Sequence, residues 1–90
     1  MSSYYTKAEN YYNFAKIYFK KNTLDKVKQL LDLSIANYNT FVPSYTLYGY
    51  IYLQEGRYEL ALEKFEEALK IDPNFQDAKN GKRFCLDKLR

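Results

Sequence analysis

A chain of 90 residues with 47% hydrophobic side chains has enough apolar matter for one small core and too much to stay disordered. Three glycines and two prolines are too few for the many turns of an all-β protein. The net charge of +3, from 14 basic and 11 acidic residues, is too balanced for a dedicated nucleic-acid binder.

The spacing predicts a first helix over 6–21, opened by Thr6-x-x-Glu9 as a capping box and carrying Tyr11, Phe14, Ala15 and Tyr18 at intervals of three and four. Asn22, a residue that tolerates the left-handed conformation, ends it. Thr23 is then the N-cap of a second helix over 24–37. Its apolar side is Val27, Leu31, Ser34 and Ile35. A third helix over 43–55 presents Tyr45, Tyr48, Gly49 and Tyr52, and Gly56-Arg57 breaks the pattern. The fourth, over 58–71, repeats the spacing with Ala61, Phe65, Ala68 and Leu69 until Asp72-Pro73 stops it. A fifth over 74–88 has an expected apolar side of Ala78, Cys85, Leu86 and Leu89, and a wet side of Lys79, Lys82, Arg83 and Lys88.

Shifted against itself by 34 positions, the chain aligns Tyr11 with Tyr45, Phe14 with Tyr48, Ala15 with Gly49, Ile17 with Ile51 and Tyr18 with Tyr52. The same shift brings Val27 onto Ala61, Leu31 onto Phe65, Ser34 onto Ala68 and Asn22 onto Gly56. Side-chain size is kept along a helix–turn–helix unit, so the period is real.

Residues 42–73 resemble a tetratricopeptide repeat (TPR). Tyr45, Gly49 and Tyr52 match the aromatic–small–aromatic first helix; Ala61, Phe65, Ala68 and the closing Pro73 match the second. Residues 8–41 resemble a degenerate copy with Ala15, Val27 and Ser34 at the small positions, and the last residues resemble a capping helix. The resemblance implies an all-α fold, a right-handed superhelical α-solenoid of antiparallel helix pairs with about five helices. The chain is then a single TPR-like domain over 1–90, with repeat one at 8–41, repeat two at 42–75 and the cap at 76–90. Gly49 and Ala61, or Ala15 and Val27, are expected to let paired helices approach. The first repeat has none before it, so α-helical stacking alone leaves an edge open.

Little here can do chemistry. There is no histidine, which removes the usual general base and the commonest metal ligand. One cysteine, Cys85, builds neither a disulfide nor a structural zinc site, and its place on the inward side of the last helix makes it a packing residue. Glu59, Glu63, Glu66 and Glu67 are interleaved with Lys64 and Lys70, and Glu66–Lys70 reads as an i,i+4 pair on a solvated face. No enzyme activity, cofactor or metal is expected. No stretch approaches the roughly 18 apolar residues that span a bilayer, and no signal-peptide run opens the chain, so the expected compartment is cytoplasmic, without membrane partners.

The resemblance places function on a concave groove lined by the first helix of each pair. The groove positions are Tyr12, Asn13, Lys16, Phe19 and Lys20 from the first repeat, Leu47, Tyr50, Leu53 and Gln54 from the second, and Asn80 and Phe84 from the cap. The expected function is a protein-interaction module, a scaffold or adaptor holding a protein, peptide or helix against these aromatic positions. Tyr50 is expected to face the ligand at little cost to stability, Tyr52 to face the core. Homo-oligomer formation is the alternative. RNA or single-stranded nucleic-acid binding through Lys16, Lys20 and Lys21 is less favoured, because residues 41–72 carry three basic against six acidic side chains. The family's carboxylate clamp for the Hsp70 and Hsp90 C-termini is disfavoured: its positions hold Tyr12, Lys16, Leu47, Asp77 and Gly81, of which Lys16 alone is cationic.

Overall fold

A computed structural model of the chain describes residues 3–90. It has five helices, α1 (Ser3–Lys20), α2 (Leu24–Asn37), α3 (Val42–Gln54), α4 (Tyr58–Ile71) and α5 (Gln76–Leu89), and no strand among the described residues. The all-α expectation holds, and no helix end departs from its predicted place by more than three residues. Contacts divide the chain into two compact units, one ending at Ser44 and the other beginning at Tyr45. The first turn of α3 therefore belongs to the first unit.

In the first unit α1 and α2 run antiparallel. Ser34, late in α2, donates from Oγ to the Ala8 carbonyl early in α1 at 2.8 Å. At the other end Lys26 Nζ lies 5.9 Å from the centre of the Tyr18 ring. Ala8, Ala15, Val27, Leu30 and Leu31 are buried, the small residues allowing the approach and the leucines filling it. Asn22 turns the chain with φ 60, as Gly56 does with φ 75 in the second unit. Both glycine-like positions were legible from the period.

The second unit is built around Phe65, which is wholly buried. A β-carbon at Gly49 would stand 2.6 Å from its Cε1, and one at Gly81 would collide with the same ring. Phe65 is thus the side chain nearest to Gly49; Ala61, expected in that contact, is wholly buried as well. The tyrosines at 45 and 48 are buried as predicted, and Tyr48 stacks on Tyr52 with ring centres 5.4 Å apart.

Three local expectations are corrected. Thr6 and Glu9 form no capping box, because α1 already starts at Ser3. Thr23 is the N-cap of α2 but makes no side-chain cap hydrogen bond. Leu86 and Leu89 do not complete the apolar side of α5: they are 46% and 38% exposed, since Ala78, Gly81 and Cys85 already fill the contact with α4. The repeat alignment also put Phe14 and Ile17 on packing positions. Their counterparts Tyr48 and Ile51 are buried, yet Phe14 and Ile17 are 55% and 50% exposed. Within its unit α1 packs on α2 and leaves that side bare.

Candidate functional site

Each unit carries a cleft of its own. The first, of about 420 Å³, runs along the N-terminal half of α1 and the segment leading into α3; Tyr5, Glu9, Tyr12, Lys16, Phe41 and Pro43 are among its walls. Tyr5, Glu9, Tyr12 and Lys16 recur at spacings of four and three, so one face of α1 supplies one wall. Phe41, buried in the α2–α3 connection, meets Tyr5 and Tyr12 edge to face, with ring centres 5.4 and 5.5 Å away. Tyr38 continues the cluster 5.2 Å from Tyr5. Lys16 Nζ lies 4.9 Å from the centre of the Tyr12 ring, an attraction between cation and ring face.

The second cleft, also about 420 Å³, is lined by Tyr50, Leu53, Gln54, Asn80, Gly81 and Phe84. Its floor exists because Gly81 has no side chain and Phe65 comes up beneath it. Tyr50 forms one wall and is firmly held. Its ring meets Phe65 edge to face at 5.0 Å, and its hydroxyl donates to the Asp77 carbonyl at 2.9 Å, tying α3 to α5. Burial, then the Asp77 carboxylate and Cys85, push the Tyr50 phenol above its ordinary range. The other wall is Phe84, 46% exposed, with Tyr58 6.4 Å behind it and Lys88 Nζ 5.4 Å from its ring centre. Tyr50 is therefore both wall and strut, not the freely dispensable side chain the sequence suggested. The reason is that its hydroxyl finds a main-chain acceptor on α5, the Asp77 carbonyl.

Of the eleven groove positions, Tyr12, Asn13 and Lys16 line the first cleft, and Tyr50, Leu53, Gln54, Asn80 and Phe84 line the second. Phe19 and Leu47 are half-buried and Lys20 is exposed, and these three line neither cleft. Sequence reasoning missed Tyr5, Glu9 and Phe41. The stripe through Tyr5, Glu9, Tyr12 and Lys16 carried the signal for two of them, whereas Phe41 depended on how the α2–α3 connection folds.

Other groups have structural work. Glu63, Glu66 and Glu67 line a cleft of about 560 Å³ with Lys70 and Lys82. Glu66 is met by Lys82 from α5 at 3.6 Å in place of the expected Lys70, and Lys64 reaches Glu67 at 3.4 Å. No group of residues able to hold a metal ion occurs among the described residues. Cys85 is fully buried, and burial pushes its thiol pKa up, the opposite of an activated nucleophile. No described helix is long and apolar enough to cross a membrane.

Comparison with known proteins agrees with the helix pattern. The tetratricopeptide-repeat family pattern matches residues 42–75, the span of α3, α4 and their turn. The chain is also similar to the uncharacterized protein ycf37 of Pyropia yezoensis, with 34% identity over 70 residues. The match takes in 73% of this chain and 39% of that protein, so the chain spans about two fifths of its relative's length. With five helices of the repeat type and the family match over α3 and α4, residues 42–75 belong to the tetratricopeptide-repeat family, whose repeats are protein-interaction modules on a fold that is generally non-catalytic.

Proposed function

We propose that the chain is a non-catalytic adaptor that grips a peptide or helix of a partner protein in the cleft between α3 and α5. What supports this reading is the rigidity of an open apolar wall. Tyr50 is fixed by the 2.9 Å hydrogen bond to Asp77 and by Phe65, while Leu53 and exposed Phe84 offer apolar surface beside it. An aromatic anchor already held in place loses little entropy on binding. Gln54 and Asn80 at the rim can bond a partner's backbone. The aromatic cleft of the first unit, with Lys16 and Glu9 on its rim, offers a second grip for the same class of ligand. Cys85, a buried free thiol, suits the reducing cytoplasm.

Photo-crosslinking from position 80, on the rim of the same cleft, tests the reading. A partner captured by the native chain and by the remote surface variant Leu60→Glu, but lost in Phe84→Glu, supports it. Equal capture by both variants would remove this cleft from the function.

Self-association is a second reading, favoured by one observation. Phe14 and Ile17 form an apolar strip on α1 whose equivalents in the second repeat are buried, and exposed strips of that kind mark contact surfaces. Light scattering over a range of concentrations decides it.

A further inference from the structure

The side of α5 turned away from Asn80 and Phe84 breaks the pattern of the repeat. The 34-residue shift carries Tyr45 onto Lys79, Gly49 onto Arg83 and Tyr52 onto Leu86. In α3, Gly49 faces the Phe65 side chain of the next helix, where a single β-carbon would come 2.6 Å from the ring. In α5 the same register holds an exposed guanidinium. A helix packed here as α4 packs on α3 would collide with it.

What α5 offers there is a different surface. Lys79, Arg83 and Leu86, with Lys82, Leu69 at the end of α4 and Pro73, line a cleft of about 360 Å³. Its floor is apolar. Lys82 is engaged by Glu66 at 3.6 Å, whereas no ion pair is found for Lys79 or Arg83 among the described residues. One helical turn separates these two cations, and Leu86 lies a further turn along the same side of α5.

We propose that this cleft docks an acidic amphipathic segment of a partner protein, its apolar residues on Leu69, Pro73 and Leu86 and its carboxylates on Lys79 and Arg83. Charge complementarity selects this occupant. A nucleic-acid backbone continuing past the cleft would run onto Glu63, Glu66 and Glu67 of α4, which line the adjoining depression with Lys82. A flat anionic membrane would meet the same carboxylates beside the cations. The surface is distinct from the α3–α5 cleft, so the two can be occupied together.

The test uses the full chain and a fluorescent amphipathic peptide with leucines on one face and glutamates on both flanks. Its counterparts carry glutamine or lysine in place of every glutamate. The glutamate peptide should bind, and more weakly as salt is raised. Lys79→Glu with Arg83→Glu should weaken it by roughly tenfold or more and raise affinity for the lysine peptide, while the remote surface variant Leu60→Glu changes neither. Because both altered residues are exposed, the fold should survive, which circular dichroism checks. Equal affinity for the glutamate and glutamine peptides, no binding of either, or indifference to the double charge reversal would overturn the proposal. So would tighter binding of single-stranded RNA or anionic vesicles that is lost in the same variant.

Discussion

A β-carbon on Gly49 would lie 2.6 Å from Cε1 of Phe65, inside any permitted contact. In an exposed helix, Gly→Ala gains about 1 kcal/mol of propensity. Here the ring cannot retreat, because Gly81 closes its other side just as tightly. Overpacking of this kind costs about 1–3 kcal/mol and outweighs the gain. Gly49→Ala and Gly81→Ala should each lower the urea midpoint; an unchanged or higher midpoint would show that the ring has room to move.

Ser34 should prove costly to remove. Its only hydroxyl proton goes to the Ala8 carbonyl at 2.8 Å, so the 2.6 Å contact with Ser44 must be donated by Ser44. Both serines are fully buried. Ser34→Ala strands the Ser44 hydroxyl and should cost about 1–3 kcal/mol. Ser34→Ala with Ser44→Ala should cost less than the sum of the singles, a coupling that a double-mutant cycle measures.

For Tyr50 the prediction is that stability and binding respond together. Tyr50→Phe removes one hydrogen bond and should cost about 0.5–1.5 kcal/mol. Tyr50→Ala also removes the ring from Phe65 and should cost about 2–4 kcal/mol in chemical denaturation. A cleaner probe of binding is Phe84→Ala, whose exposed ring should leave stability within about 1 kcal/mol.

Alkaline pH should unfold the chain from this same region. Burial, first among the causes, raises the titration of Tyr45, Tyr50 and Cys85. A raised folded-state value means that folding favours the protonated form. The contribution is complete below the unfolded values, about 8.5 for Cys and 10 for Tyr, and is lost as pH climbs through the folded ones. Melting temperature should therefore fall between about pH 9 and 11, with a shallower fall in Tyr50→Phe. A flat profile there would contradict the burial of these groups.

If the open strip on α1 drives self-association, Phe14→Glu with Ile17→Glu should abolish any concentration-dependent rise in mass. Stability should change little, because both side chains already face solvent.

The helices were legible because spacing and turn chemistry agreed: Asn22 and Gly56 adopt the positive φ that their types permit. Tyr50, Leu53, Gln54, Asn80 and Phe84, which line the second cleft, were legible through the family resemblance. It puts the first helix of each pair on a groove, and helical phase then picks its non-packing positions. Periodicity names which side of a helix a residue occupies, not what arrives there. That is why the exposure of Phe14, Ile17, Leu86 and Leu89 was missed, and why the nearness of the Phe65 ring to Gly49 was not foreseen. It is also why the reach of the Tyr50 hydroxyl to a main-chain carbonyl on another helix left no trace in the pattern.

Cys85 gives the second unit a clock. The thiol is sealed between α5 and α4 with no solvent access, and it is the chain's single sulfhydryl. A thiol reagent can reach it only in molecules whose last helix has swung away from α4. The labelling rate in native buffer then measures how often that detachment occurs. Set beside the rate of global unfolding, it tells whether α5 leaves alone or with the rest, and a ligand held in the α3–α5 cleft would slow it.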